Sequence, residues 1–336
     1  MSHQVRVEPS GHTFEVAPHE TVLNGALRHG LALPYSCRNG TCGTCKGRLL
    51  DGEVAYAGQP PALSDEDEAN GLALFCQAEA ISDLTIEVRE VGALTEIPVR
   101  TMPARIQQME RLADDVIRLG LKVPQNERLQ FLAGQYVDLL LRDGRRRSYS
   151  LANPPHDDAL LELHVRHMPG GRFTDALFNG DYKEKDILRL EGPLGTFFWR
   201  EESEGPAILV AGGTGFAPIK AMVEHALAEG TERPLHIYWG IRALRDLYLG
   251  TLAEQWATEH ANVTFTPVFS QPAGDSGNAR TGYVHEAVLA DFPDLAGCEV
   301  YASGPPAMVE ALRESLPGQG LDPEQFYADA FEPAGD

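Results

Sequence analysis

Three thiols stand at C-x4-C-x2-C spacing in Cys37-Arg38-Asn39-Gly40-Thr41-Cys42-Gly43-Thr44-Cys45, and Cys76 supplies a fourth downstream. A 2Fe-2S cluster needs four thiolates converging on a small core, three from one tight loop and one from a distant strand. Gly40 and Gly43 suit a backbone that must wrap such a cluster, since glycine reaches dihedrals closed to other residues. A structural zinc site would pair two short-spaced couples, and here the second couple is a single cysteine. Disulfides would need an oxidising compartment, but the opening residues carry neither the basic nor the apolar region of a secretory leader, so the expected compartment is a reducing cytoplasm. The fifth cysteine, Cys298, reads as a small buried apolar side chain.

A second constellation is Arg147-Ser148-Tyr149-Ser150, followed by Asn153-Pro154. It joins a forked cation, an aromatic ring and hydroxyls on one extended segment. A flavin dinucleotide has a use for each: guanidinium for pyrophosphate, ring for stacking, hydroxyl for N5. Strand alternation puts Arg147 and Tyr149 on one face and Ser148 and Ser150 on the other. Taken alone, the stretch reads equally well as a solvated charge run through Arg145, Arg146 and Arg147.

The third is Gly212-Gly213-Thr214-Gly215-Phe216-Ala217-Pro218, a glycine turn between an apolar strand and a helix, which makes a helix N-terminus suited to phosphate. It lacks the third glycine of the Rossmann fingerprint and is weak evidence by itself.

At 336 residues the chain calls for two or three domains. With 43% hydrophobic and 23% charged residues and no apolar run long enough for a membrane span, it reads as globular. The net charge of −21 is uneven: residues 1–91 carry 6 basic and 13 acidic side chains, 92–200 carry 16 and 15, and 201–336 carry 6 and 21. Such acidity argues against nucleic acid as a partner, and the arginine-rich middle is where an anionic ligand would sit.

The elements that must position these groups follow from periodicity. Residues 4–8 and 12–16 alternate as a hairpin, 21–29 form a helix closed by Gly30, and 46–50 with 53–56 read as a second hairpin about Asp51-Gly52. Ser64 caps a short acidic helix, and strands over 72–77 and 84–88 follow, the first bringing Cys76. Dense strands over 102–108, 116–123, 135–141, 147–152, 160–167 and 187–191 predict a small antiparallel barrel. From residue 207 strands alternate with helices, the pattern of a parallel sheet. The fold class is therefore multidomain α+β and α/β: a β-grasp domain over 1–91, an antiparallel β-barrel over 99–201 and a parallel-sheet domain over 205–336, with 91–98 as linker.

The whole chain resembles the ferredoxin-NADP reductase superfamily preceded by a plant-type 2Fe-2S ferredoxin domain. Arg147-Ser148-Tyr149-Ser150 resembles its R-x-Y-S signature, and Leu163-His164-Val165-Arg166 with Gly170-Gly171-Arg172-Phe173-Thr174 resembles its second flavin-phosphate element. Gly213-Thr214-Gly215 with Pro218 resembles its nicotinamide-binding turn. Ser303-Gly304-Pro305-Pro306-Ala307-Met308 resembles its C-G-P-x-x-M turn, with Ser303 where cysteine is usual.

The resemblance implies that Cys37, Cys42, Cys45 and Cys76 hold a 2Fe-2S cluster and that Arg147, Ser148, Tyr149, Ser150, His164, Val165, Gly170, Gly171 and Thr174 hold FAD. It places Gly213, Thr214, Gly215, Pro218, Gly304 and Pro305 at the nicotinamide coenzyme. Ser150, Ser303, Asp329 and Phe331 would serve the chemistry, Phe331 covering the flavin and Asp329 handling protons, although 326–331 also reads as an ordinary edge strand.

In 240–246, Arg242 and Arg245 would permit NADPH, whereas Asp246 and the acidic surroundings favour NADH, the expected coenzyme. Electrons would run from NADH through the flavin, standing between the other two domains, to the cluster and on to a partner protein. That partner is a dehydrase, as for the CDP-6-deoxy-glucoseen reductase group, which the motif wording resembles most, or an oxygenase component, as for the phenol hydroxylase and methane monooxygenase reductases. A redox sensor that keeps the cofactors without turnover is the alternative of another class.

Overall fold

The computed structural model describes residues 2–92, 97–124, 127–271 and 280–331, and the chain divides into two compact units, Met1–Pro98 and Val99–Asp336. The expected linker 91–98 lies partly outside the described residues.

In the first unit β1 (His3–Glu8) pairs antiparallel with β2 (Thr13–Val16) and parallel with β7 (Leu84–Glu87), giving a five-stranded sheet in the order β2-β1-β7-β3-β5, with β3 at Lys46–Asp51 and β5 at Leu72–Leu74. Helix α1 (Val22–Arg28) is capped by the Thr21 hydroxyl and packs Val22, Leu23 and Ala26 against this sheet. Helix α2 (Asp65–Ala69) begins with a reciprocal capping box between Ser64 and Asp67.

The hairpin expected about Asp51-Gly52 does not form. β3 is a central strand hydrogen-bonded to β7 on one edge and β5 on the other, so no edge remains for β4 (Val54–Ala55), which pairs with β6 (Glu79–Ala80) in a separate ribbon. Gly52 still turns the chain at φ +96°, because a β-carbon there would lie 2.2 Å from the Asp83 carbonyl oxygen.

The second unit opens with six antiparallel strands in the order β11-β10-β13-β8-β9-β12. These are β8 (Arg100–Ala113), β9 (Val116–Lys122), β10 (Tyr136–Leu140), β11 (Arg146–Ser150), β12 (Leu161–Arg166) and β13 (Ile187–Leu194). Alternate residues fill one core, among them Ile106, Leu119, Leu139, Leu163 and Leu190. The short helix α3 (Arg172–Phe178) follows β12.

A parallel sheet completes the unit in the order β17-β16-β15-β14-β18-β19: β14 (Ala207–Gly212), β15 (Leu235–Ile241), β16 (Val263–Phe269), β17 (Arg280–Thr281), β18 (Glu299–Gly304) and β19 (Phe326–Ala330). Helices α4 (Phe216–Ala228), α5 (Gly250–Glu259), α6 (Val284–Asp291) and α7 (Pro306–Ser315) connect the strands. No helix among the described residues is long and apolar enough to cross a membrane.

Barrel and parallel sheet are joined by a buried polar seam. The Lys220 ammonium on α4 donates to the Ala152 carbonyl at 3.0 Å and faces Glu162 at 3.4 Å and Glu224 at 2.9 Å. His164 Nε2 lies 2.8 Å from Glu162 Oε1 and Nδ1 lies 3.0 Å from the Tyr248 hydroxyl. A carboxylate only accepts, so Nε2 carries the hydrogen and Tyr248 donates to Nδ1. Burial pushes the His164 pKa below its ordinary value, opposed by Glu162. Burial alone would raise the Glu162 carboxyl, but the His164 hydrogen bond and the Lys220 charge bring it below normal.

An unfolded His164 takes up a proton near its ordinary value of 6.5, and the folded chain resists that proton. Its contribution to stability is therefore present above pH 6.5 and lost as pH falls below it. Thermal unfolding of the wild type should show a midpoint that drops between about pH 6.5 and 5, and His164→Gln should flatten that slope while lowering the midpoint at neutral pH. Parallel pH profiles for the two proteins would refute this assignment.

Candidate functional site

The four thiols of the first unit converge. Cys42, Cys45 and Cys76 are buried and Cys37 is half-buried. Cys37 and Cys42 hydrogen-bond to each other, as do Cys45 and Cys76, and the Cys42 N–H donates to Cys37 Sγ at 3.4 Å. The hydrogen bond from Cys42 brings the Cys37 thiol down to about 5, and that from Cys45 lowers Cys76. Cys42 and Cys45 are pushed up by those same bonds and by burial.

Gly40 at φ +84° and Gly43 at φ +72° let the loop curl around these sulfurs. The Gln77 amide donates to the Arg38 carbonyl at 2.9 Å, tying the loop to the turn that carries Cys76. The donor set, four soft thiols in one place with backbone N–H groups among them, fits a 2Fe-2S cluster.

In the barrel, β11 and β12 are the two ends of the sheet. They meet only at a bridge between Leu151 and Leu163 and at the Ala152 N–H to Glu162 carbonyl bond, among the described residues. Beyond that bridge the edges carrying Tyr149 and Ser150 face those of His164 and Val165 without a ladder. Such a gap is a place where backbone groups can meet a planar ring system. Tyr149 is half-buried with its ring 5.7 Å from that of Phe173, and Arg147 is half-buried on the same strand face, as alternation predicts. Ser148 points to the other face, where its hydroxyl donates to Asp138 at 2.6 Å.

Several side chains expected at the flavin are engaged within the protein. His164 has both ring nitrogens taken by the seam and Val165 is fully buried in the barrel core, so each offers a flavin only its backbone. The Thr174 hydroxyl donates to the Met168 carbonyl at 2.9 Å and accepts the Met168 N–H at 3.2 Å, and the Gly170 N–H goes to Asp175. Gly171 caps α3, leaving first-turn N–H groups as the donors a phosphate would meet there.

The Ser150 hydroxyl is buried and lies 3.3 Å from Asp329 Oδ2 on β19. Asp329 stands opposite Ser303 in the β18–β19 register. Ser303 is fully buried and its Oγ has no hydrogen-bond partner among the described residues. Three of the residues expected to serve the chemistry thus come together from the barrel strand and two sheet strands. Phe331 follows β19, half-buried, with its N–H on the Gly304 carbonyl at 2.8 Å.

Gly213–Gly215 form a 3-10 turn that leads into α4, with Pro218 in the helix's first turn. A β-carbon on Gly215 would lie 2.0 Å from the Ser303 carbonyl oxygen, and one on Gly304 would lie 2.8 Å from Gly212 Cα. The glycine turn, Thr214 included, and the Ser303-Gly304-Pro305 turn are therefore pressed together at the ends of adjacent parallel strands, where open α/β sheets bind ligands.

Sequence reasoning missed two residues here. The Trp239 indole donates to the Gly213 carbonyl at 3.0 Å and stacks on Phe216 at 3.8 Å, pinning the turn. Arg166 reaches from β12 to within 2.9 Å of where a Gly213 β-carbon would sit, with Nε 3.2 Å from Asp115. Its place in the quoted Leu163-His164-Val165-Arg166 motif was the available signal. In the stretch 240–246 the Asp246 carboxylate caps a local turn by accepting the Ala243 N–H at 3.0 Å, while Arg242 is exposed.

Comparison with known proteins agrees with this arrangement. Residues 5–80 match the family model of a 2Fe-2S iron-sulfur cluster binding domain, 103–199 that of an oxidoreductase FAD-binding domain and 209–314 that of an oxidoreductase NAD-binding domain. The CDP-6-deoxy-L-threo-D-glycero-4-hexulose-3-dehydrase reductase of Yersinia pestis is 42% identical, over 99% of this chain and 100% of its own. Reductase component 2 of terephthalate 1,2-dioxygenase from Comamonas sp. is 36% identical over 98% of each. Among solved structures, the Amycolatopsis cytochrome P450 reductase GcoB superposes with a TM-score of 0.81 at 36% identity, over 99% of this chain and 100% of that one.

Because Gly215 has no room for a methyl group, Gly215→Ala must displace the 303–304 backbone. Its NADH affinity, read by titrating flavin reduction, should fall at least about tenfold, ~1.4 kcal/mol, with flavin and cluster absorbance retained. Unchanged affinity would separate this turn from the coenzyme.

Proposed function

This chain belongs to the iron-sulfur flavoprotein reductases, in which a 2Fe-2S ferredoxin domain is joined to a ferredoxin-NADP reductase-like core, and from that premise we propose that it carries electrons from NADH to a CDP-6-deoxy-L-threo-D-glycero-4-hexulose-3-dehydrase. The Yersinia reductase is 42% identical and the terephthalate dioxygenase component 36%, each over nearly the full length of both chains, and the higher identity supports this acceptor over an oxygenase. The observation that carries the redox reading is the Ser150–Asp329 hydrogen bond, which brings a barrel hydroxyl and a sheet carboxylate to one buried place.

When bound, FAD accepts the two electrons of a hydride together and releases them singly, as a one-electron 2Fe-2S centre requires. This chain's residues prepare that exchange. Arg147 offers a guanidinium fork to the diphosphate. Tyr149 gives the ring system an apolar face. The Ser150 Oγ hydrogen, held toward Asp329 Oδ2, is the proton these residues would offer to a bound flavin, with Asp329 as its acceptor. The pressed glycine turns present backbone N–H groups to the coenzyme's phosphates. Ser303, a hydroxyl without a partner at the strand end, is the polar atom left for the nicotinamide. Cys37, Cys42, Cys45 and Cys76 hold the exit centre.

Cys76→Ser should abolish NADH-dependent cytochrome c reduction but retain ferricyanide reduction through the flavin, with the chain's iron lost or diminished. Full cytochrome c activity in this variant would overturn the assignment. A purified dehydrase of the proposed class, reduced by the wild-type protein and not by Cys76→Ser, would establish the acceptor; reduction of an oxygenase component instead would replace it.

NADH is the proposed coenzyme. With Asp246 committed to its local cap, the support is the charge of residues 201–336, whose 21 acidic against 6 basic side chains disfavour an added phosphate dianion. kcat/KM should favour NADH by at least about tenfold, equivalent to ~1.4 kcal/mol. A preference for NADPH would instead make Arg242 and Arg245 its phosphate clamp.

A further inference from the structure

Outside the redox site, His156, His225 and Glu229 bring three ligand atoms within 4.8 Å of one another. His225 and Glu229 stand one turn apart at the C-terminal end of α4, where the helix dipole favours a cation. His156 belongs to the segment that follows the flavin strand β11 in the barrel. Its ring lies 5.9 Å from that of His225, at an interplanar angle of 29°.

His225 is prepared as a ligand from behind. Its Nε2 lies 2.9 Å from the Glu201 carboxylate, which can only accept, so in the neutral ring Nε2 carries the hydrogen and Nδ1 carries the lone pair. That Nδ1 is shielded from water and has no hydrogen-bond partner among the described residues. A carboxylate fixing the distal nitrogen of an imidazole is the arrangement found behind metal-bound histidines, where it sets tautomer and ring orientation. A buried nitrogen acceptor left unsatisfied is itself unfavourable, and a cation would satisfy it.

We propose that His156, His225 Nδ1 and Glu229 form a site for Zn2+ or a similar divalent transition metal, with Glu201 as the positioning carboxylate and an open position for water. The donor set of two imidazoles and one carboxylate suits zinc, which takes such ligands at about 2.0–2.2 Å in a tetrahedron. His156 and Glu229 are exposed and free to close the remaining distance. The ion would staple the segment after the flavin strand to the helix that begins at the glycine turn. It would therefore reinforce the join that Lys220 makes through Ala152 on the same helix.

The test is calorimetric titration of the full-length protein, carrying flavin and cluster, with Zn2+. The expected result is one ion per chain, with iron content and flavin absorbance unchanged and a higher thermal midpoint. His156→Ala and Glu229→Gln, both surface changes, should each weaken binding at least about tenfold and abolish the rise in midpoint. Zinc uptake matched by loss of iron, no binding up to millimolar Zn2+, or wild-type affinity in both variants would overturn the proposal.

Discussion

A single buried ammonium organises the reductase core. Lys220 lies in the second turn of the helix that starts at the glycine turn, and its charge is answered by two carboxylates and by the carbonyl of Ala152, just beyond the strand that carries Tyr149 and Ser150. A cation removed from water is tolerated only when its donors are satisfied, so the lysine cannot leave this position without leaving a buried charge unpaired. The consequence is geometric. The helix is thereby registered on the barrel, and the strand carrying Tyr149 and Ser150 is registered on the glycine turn. Glu162 extends the same constraint to His164, and His164 to Tyr248, whose ring meets Trp239 edge-on at 5.1 Å. The seam thus ends on the tryptophan that pins Gly213.

The seam is one reason the second unit is a single compact unit although sequence periodicity divides it into barrel and parallel sheet. Periodicity reports which residues face a core, and each half has its own. It is silent about a polar seam between them, because a lysine, a glutamate and a histidine on amphipathic elements look like solvated positions. Only their convergence in space makes them a join. An apolar interface would also hold the halves together, but it would fix their relative position less sharply, since directional bonds select one register.

What was legible in the sequence had rigid local chemistry. Cysteine spacing, the Arg147-Ser148-Tyr149-Ser150 strand and the glycine turn each encode their geometry within a few residues, and the strand and helix assignments around them largely agree with the structure. What was not legible depended on partners far along the chain. The turn at Gly52 looked like a hairpin because two extended runs flank it, yet both edges of β3 were already claimed by β5 and β7. Asp246 read as favouring NADH from its position after the second parallel strand, and its carboxylate also closes a turn onto Ala243. His164 sat within a flavin motif and yet serves the seam with its ring. In each case an interaction with a distant or backbone partner took up a group that local pattern had left available.

Ser303 shows the opposite case, a group that the fold leaves available. It is fully buried, its hydroxyl lacks a partner, and its neighbours across the sheet are Ala211 on one side and Asp329 on the other. Nothing in the packing of β18 requires a polar atom there. A small apolar residue would fill the same volume without an unsatisfied hydroxyl, whose burial is unfavourable by about 1–3 kcal/mol. That position lies at the end of a parallel strand, beside the carboxylate bonded to Ser150 and against the glycine turn, so the polar atom that packing leaves over falls among the residues of the proposed site. The same logic covers the glycines around it. Gly215 and Gly304 give up side chains so that two turns can touch, since a β-carbon on either would run into the backbone of the facing turn.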